Sequence, residues 1–375
     1  MAIIGTRGYP SFYGGFETAV RRLAPYLADR GWAVTVYGRR GATEPEVADR
    51  RVTQIESWGI ERQSLSTLSY GLSSAMHARS VRPSVALVMN VANGYWLPLL
   101  KQARVPTVVN VDGIEWERDK WGRLAKTVFL NGARATARHG DVLVYDSQVI
   151  GARWRSQFGR DGNFIPYGGD TMTSDPAVPL GLDRRKYALL VARFVPENTV
   201  PAFIEAAKSI ADSHPVVLVG SSGYGGALDA AAATAAQHPN VKWLGHLKDD
   251  SLLHALWYHA GAYFHGHSVG GTNPALVQAM ACGAPTVARD TEFNREVLRH
   301  AGHYVKPQPR DISQAITDLL DRPAEQDRLS AAARQRALSH YSWEGVCDSY
   351  ERTLLEAIAH GANEAPARDA RSGAK

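Results

Sequence analysis

The sequence predicts an α/β protein built of two doubly wound, Rossmann-like parallel-sheet domains facing a central cleft. Three observations carry this expectation. The chain has 375 residues, more than one ordinary domain of about 150 residues needs. Short runs rich in Val, Ile and aromatic residues alternate with longer helical patterns, the rhythm of βαβ units. That rhythm stops once, at the polar, proline-bearing stretch Thr171–Asp183, and then restarts.

In the first half the apolar runs place strands near Ala2–Thr6, Ala33–Gly38, Arg51–Glu56, Ser84–Asn90, Pro106–Asp112, Asp141–Ser147 and Asn163–Tyr167. Helical patterns fill most gaps, the first over Ala19–Arg30. In the second half strands fall at Tyr187–Arg193, Pro215–Gly220, Val241–Gly245, Gly261–His265, Pro285–Arg289 and Gly302–Val305. Helical patterns then run from Asp311 to Ile358. The expected division is 1–172 and 183–342 for the two domains, 343–360 for a C-terminal helix and 361–375 for a flexible tail of small and polar residues.

Composition narrows the class further. An apolar share of 45% suffices for sizeable cores and argues against disorder. The longest apolar candidate, Val85–Leu100, is interrupted by Asn90, Asn93, Gly94 and Pro98, so no membrane span is expected. Met1 leads straight into Ala2-Ile3-Ile4 without a basic leader, which makes a cytoplasmic location the expectation. Cys282 and Cys347 are too few for a disulfide framework and lack zinc-site spacing, so both are expected as reduced thiols. A net charge of +5 favours anionic partners, but no Lys/Arg run interleaved with aromatics is present, and nucleic acid is set aside.

In doubly wound sheets, ligands sit outside the carboxyl ends of the strands, so the strand-to-helix turns matter most. The first turn contains Gly5-Thr6-Arg7-Gly8 and then Tyr13-Gly14-Gly15-Phe16-Glu17. A Gly-Gly turn opening a helix suits a diphosphate, because helix N-termini carry unpaired N–H groups and partial positive charge. The second domain repeats the device after His265-Gly266-His267, with Gly270-Gly271-Thr272-Asn273-Pro274 before a helix over Ala275–Ala281. Asn273 is a good N-cap and Pro274 suits the first helical position. Arg193 ends a strand at the same edge, where a permanently charged fork matches a diphosphate; a surface ion pair with Glu197 is the simpler alternative. His265 and His267 alternate along a strand end, so one faces the cleft and one packs, with His267 taken as the donor-side residue.

These segments, together with Asn110-Val111-Asp112-Gly113-Ile114-Glu115-Trp116, Arg193-Phe194-Val195-Pro196-Glu197-Asn198 and Phe293-Asn294-Arg295-Glu296-Val297, resemble bacterial family 4 glycosyltransferases of the rhamnosyltransferase-like branch, from Met1 to about Leu355. The resemblance implies a GT-B fold and metal-independent, retaining transfer of a hexose in polysaccharide biosynthesis. The donor, held mainly by the second domain, is a nucleotide diphosphate sugar, dTDP- or UDP-linked, with dTDP-rhamnose first; no other cofactor is implied. The acceptor is a glycan, a lipid-linked glycan or a natural product. Carried over, Arg193 contacts the diphosphate, Gly14-Gly15 covers it, the Gly270–Asn273 turn with Gly271 and Thr272 faces the transferred sugar, and Gln278 faces the ribose. The helix 343–360 crosses back to the first domain.

The chain departs from the family pattern at three places. Of the usual two glutamates with seven residues between them, the first is Gly270 and the second Gln278. The usual lysine after the arginine is absent, with Asn198 nearby. Asp112 stands where many relatives have histidine; there it either stabilises oxocarbenium charge or orients the acceptor hydroxyl, or else caps a turn. Glu17 and Glu115 are acceptor-side reserves. Two other readings stay open: a nucleotide-sugar-binding pseudo-glycosyltransferase or partner subunit with a degraded site, and a nucleotide-sugar epimerase. Finally, 120–139 contains Lys120, Arg123, Lys126, Arg134 and Arg138 with no acid, the composition of an interfacial helix that would touch the inner face of the cell membrane; a solvated face with its apolar side packed on the sheet is the alternative.

Overall fold

Strands buried on both faces organise each of two units. The computed structural model describes residues 1–12, 14–61, 63–118, 121–223 and 225–372, with side chains at all of these except 45, 63–65 and 362–372. Tyr13, in the first glycine motif, and Lys120 lie outside the described residues. One unit comprises Met1–Pro166 with Glu344–Lys375, the other Tyr167–Trp343.

In the first unit the strands are β1 (Ala2–Ile4), β2 (Thr35–Gly38), β3 (Thr53–Glu56), β4 (Ala86–Met89), β5 (Thr107–Asn110), β6 (Val142–Tyr145) and β7 (Asn163–Phe164), with helices α1 (Gly15–Asp29), α2 (Gln63–Val81), α3 (Leu97–Gln102), α4 (Arg123–His139) and α5 (Gln148–Phe158). The sheet order is β3-β2-β1-β4-β5-β6-β7, parallel throughout. The second unit has β8 (Ala188–Val191), β9 (Val216–Val219), β10 (Val241–Trp243), β11 (Ala262–His265), β12 (Thr286–Arg289) and β13 (Gly302–Val305). Its helices are α6 (Val200–Ala211), α7 (Ala227–Ala235), α8 (Asp250–His259), α9 (Pro274–Cys282), α10 (Glu292–Leu298), α11 (Pro309–Leu320) and α12 (Pro323–His340). The order is β10-β9-β8-β11-β12-β13, again parallel. Every strand lies within the range expected from the apolar runs. In each sheet the winding reverses between the first and fourth strands, β1 beside β4 and β8 beside β11. The connections leave the carboxyl ends there in opposite directions and open a crevice.

The second sheet shows how alternation builds its cores. Leu189, Val217, Val219 and Tyr263 point into a cluster with Leu276, Val277 and Met280 of α9, while Leu190, Leu218 and Phe264 point to the other face, against Phe203 and Ile204 of α6. Such fully buried Leu and Phe side chains each contribute roughly 1.5–3 kcal/mol of transfer free energy. In the first unit, α1 buries Ala19, Val20, Leu23, Ala24 and Leu27, a stripe at helical spacing. It begins four residues before the expected Ala19, with Gly14 as its N-cap.

Three expectations are corrected. The stretch 171–183 is no free linker: the Tyr258 hydroxyl donates to Asp175 and the His259 ring pairs with the Pro176 carbonyl at 2.8 Å, which fastens it to the second unit. The final helix, α13 (Trp343–Ser372), continues past 360 even though Pro366 lies inside it, and 373–375 of the expected tail lie outside the described residues. Phe129, counted among the apolar residues of an interfacial helix, is buried against Trp121. Among the described residues no helix is long and apolar enough to cross a membrane.

Helix α4 approaches the 3-10 stretch Val91–Trp96 through two glycines. A Cβ on Gly132 would lie 2.6 Å from the Val91 carbonyl, and one on Gly94 would lie 2.3 Å from the Gly132 carbonyl. Both obstacles are backbone, so neither yields easily. Gly132→Ala should therefore destabilise by about 1–3 kcal/mol despite the better helix propensity of alanine; a melting temperature at or above wild type would contradict this packing.

Candidate active site

The second unit assembles its polar groups where β8 and β11 lie side by side. Arg193 leaves the end of β8 exposed to solvent, and among the described residues its guanidinium makes no hydrogen bond or ion pair. The alternative reading of a surface ion pair with Glu197 is therefore not met. Buried Asn198 instead donates from Nδ2 to the Arg193 carbonyl at 2.9 Å and meets His267 Nδ1 through its Oδ1 at 2.5 Å. Because Nδ2 is committed to Arg193, the oxygen must accept, and the His267 ring donates from Nδ1. Asn294 of α10 holds the same loop, donating to the carbonyls of His267 at 3.0 Å and Arg289 at 2.8 Å.

The loop continues to α9. Gly270 has φ 102°, a conformation open to glycine and strained for residues with a Cβ. Thr272 is buried, and Asn273 accepts from the Ala275 N–H at 3.0 Å, with Pro274 at the first helical position. A permanent cation, an imidazole and a capped helix start thus lie at two adjacent strand ends. Each suits anionic or hydroxyl-rich groups. His265 is the packing histidine: it is buried with Nδ1 against the Tyr263 hydroxyl at 3.0 Å, and burial pushes its ring down to about 3, leaving it uncharged at neutral pH.

Gln278 does something other than what its position in the family pattern implies. Its Oε1 accepts from the Asp170 N–H and its Nε2 donates to the Asp170 carbonyl, both at 2.9 Å. A carboxamide can pair both ways with one residue's backbone. A carboxylate cannot, because it has no proton for the carbonyl. This accounts for glutamine at 278 and removes its side chain from the groups free to meet a ribose.

In the first unit, the turn after β1 leads to Gly14, the N-cap, and Gly15, the first residue of α1. Buried Glu17 accepts from the Arg7 N–H at 3.0 Å and so braces the loop. Glu115 is buried in an ion pair with Arg118 at 2.7 Å and accepts from Trp121 Nε1 at 2.7 Å. Both acceptor-side reserves are thereby committed to structure. Asp112 is half-buried just past β5, with Oδ2 accepting from Asn90 Nδ2 at 3.0 Å. Its N–H donates to Asn110 Oδ1 at 2.9 Å, and Asn110 Nδ2 donates to the Tyr350 hydroxyl of α13 at 2.7 Å. Sequence reading missed Asn90, Asn110, Asn294 and Tyr350. The available signal was a polar amide closing an otherwise apolar strand, at Asn90 and Asn110.

Gln278→Glu should lose the bond to Asp170 and set two oxygens against each other. The expected cost is about 1–3 kcal/mol near neutral pH, recovered in acid once a protonated glutamic acid can donate again. Thermal melts across pH check this; a variant as stable as wild type at pH 7 would refute the tie.

Residues 14–168 match the family model of the glycosyl transferase 4-like domain, and residues 175–336 match that of glycosyl transferases group 1. The GDP-mannose-dependent monoacylated alpha-(1-6)-phosphatidylinositol monomannoside mannosyltransferase of Corynebacterium glutamicum is 29% identical over 227 residues, which cover 54% of this chain and 59% of that relative, less than two thirds of its length. The phosphatidyl-myo-inositol mannosyltransferase of Mycobacterium tuberculosis is 26% identical over 381 residues, covering 93% of this chain and 95% of the relative. Among solved structures, sucrose-phosphate synthase from Thermosynechococcus elongatus shares the fold, with a TM-score of 0.80 at 18% identity over 96% of this chain and 99% of that one. With two glycosyltransferase domain models in tandem, each on its own doubly wound sheet, the chain belongs to the glycosyltransferases of the GT-B fold.

Proposed function

We propose that the chain transfers a manno-configured hexosyl group from a nucleoside diphosphate donor to a hydroxyl of a glycan or lipid-linked acceptor, with retained anomeric configuration and without a metal ion. The observation that carries this reading is the cluster of Arg193, Asn198 and His267 beside the Asn273-capped start of α9. When the bond from C1 of the sugar to the diphosphate breaks, negative charge grows on the phosphate. Arg193 and the helix start lower the barrier by stabilising that charge more in the transition state than in the bound donor. The acceptor oxygen bonds to C1 on the same face, and its proton leaves with the departing phosphate oxygen. On the acceptor side, Asp112 orients the attacking hydroxyl or stabilises the cationic sugar.

The sugar is argued from two directions. The motif resemblance implies dTDP-rhamnose, whereas the relatives' names support a mannosyl donor such as GDP-mannose. L-Rhamnose is 6-deoxy-L-mannose, so both point to the manno arrangement of hydroxyls. Of the three departures that prompted the degraded-site reading, Asn198 and Gln278 each make two-sided hydrogen bonds that Lys or Glu could not, and Gly270 holds a φ of 102° that would strain a glutamate. That favours an adapted site over a decayed one.

A thermal-shift and nucleotide-release panel with GDP-mannose, dTDP-L-rhamnose and UDP-glucose tests the proposal. One donor should stabilise the protein and slowly release nucleotide with or without EDTA. Arg193→Ala should weaken its binding by roughly 10- to 100-fold, the loss of about 1.5–3 kcal/mol of charge-assisted bonding. Binding without turnover would favour the pseudoenzyme, sugar isomerisation without acceptor the epimerase, and no binding would overturn both transfer and donor class.

We propose in addition that α4 rests on anionic membrane surfaces through charge. Its apolar stripe of Phe129 and Ala133 is turned inward, while Arg123, Arg134 and Arg138 are exposed with Leu124, itself 80% exposed. Such basic residues contribute about 1 kcal/mol each near anionic lipid. Flotation with phosphatidylglycerol vesicles should be lost on changing Arg123, Arg134 and Arg138 to Glu; unchanged flotation would refute the contact.

A further inference from the structure

We propose that Asn90 is a positioning residue that fixes the Asp112 carboxylate for transfer; the inference rests on the reading of Asp112 as the acceptor-side catalytic group. Asn90 follows β4 directly and Asp112 lies two residues past β5, on neighbouring strands joined by the Asn90 N–H to Asn110 carbonyl bond at 2.9 Å. Asn90 Nδ2 donates to Asp112 Oδ2 at 3.0 Å, and Asn90 Oδ1 accepts from the Ala92 N–H at 2.9 Å. Capping the following 3-10 stretch needs only the oxygen. The amide nitrogen is an addition, aimed at the carboxylate.

The backbone points the same way. Asn90 has φ 71° and ψ 135°, and Asp112 has φ 61°. The Asn90 conformation is disfavoured for any residue with a Cβ, at a cost on the order of 1–3 kcal/mol, and such conformations concentrate where function requires them. A second asparagine braces the other side: Asn110 Oδ1 accepts the Asp112 N–H and its Nδ2 reaches buried Tyr350. The chemistry of the holding group matters as well. An arginine or lysine donating to Oδ2 would add an opposing charge, whereas the Asn90 amide directs that oxygen without adding one.

The test is Asn90→Asp, which keeps an oxygen for the Ala92 N–H and a residue type tolerant of positive φ but sets a second carboxylate against Asp112. It is compared with Asp112→Asn and with the double exchange of both, which restores a carboxamide–carboxylate pair with the charge on the wrong strand. Turnover is read as nucleotide release from GDP-mannose and dTDP-L-rhamnose, alongside melting temperature. Asn90→Asp should lower kcat by about 10- to 100-fold with donor KM unchanged. The double exchange should recover the melting temperature but not kcat. Loss of activity in Asp112→Asn with wild-type kcat in Asn90→Asp would overturn the positioning role alone, as would recovery of kcat together with stability in the double exchange. Wild-type kcat in Asp112→Asn would instead overturn the reading of Asp112 itself.

Discussion

Burial of parallel strands on both faces is the constraint from which the rest follows. A strand such as Ala86–Met89 or Ala262–His265, buried along its whole length, has little room for unpaired polar side chains, because a buried polar group without a partner costs several kcal/mol. Polar chemistry is therefore pushed to the strand ends. Where winding reverses, at β1 beside β4 and at β8 beside β11, the outgoing connections diverge and leave backbone and side chains accessible. Arg193, His267, Asn90 and Asp112 all lie just beyond carboxyl ends.

What holds these ends in shape is a set of carboxamides. Asn90, Asn110, Asn198, Asn294 and Gln278 each use their side chains to join segments distant or turned back in the chain. A carboxamide donates and accepts without adding charge, so it can bridge an acceptor such as a carbonyl on one side and a backbone or ring N–H donor on the other. In the proposed function Arg193 and Asp112 are the charged groups that act on the substrates, while other acids are absorbed. Glu17 braces a loop, Glu115 is neutralised by Arg118, and Asp175 secures the connection that precedes the second sheet. The same logic explains the departures from the family pattern at Asn198 and Gln278.

Much of this was legible from the residues in order. Among the described residues every strand falls in a stretch picked out by its residues, and those buried along their length, such as β1, β4, β5 and β9, stand out because a strand buried on both faces must be apolar nearly throughout, whereas β3 is mostly exposed. Turn chemistry located the glycine loops and the Asn273–Pro274 helix start, since capping acts between neighbours in sequence. Arg193 stood out by its place at a strand end, and Asp112 through the family resemblance. The 171–183 stretch was read as a linker from its polar, proline-bearing composition, whereas Tyr258 and His259, far along the chain, fasten it.

The sequence by itself determined local propensity, strand positions, turn types and the family to which the motifs belong, for all of these depend on residues a few positions apart. Tertiary structure alone decided which polar side chains were free. Gln278 meets Asp170 across 108 positions, Asn110 meets Tyr350 across 240, and Asn198 meets His267 across 69. No spacing rule encodes such pairs, since they arise from the order in which strands assemble in a sheet, and that order is set by packing energy over the whole unit.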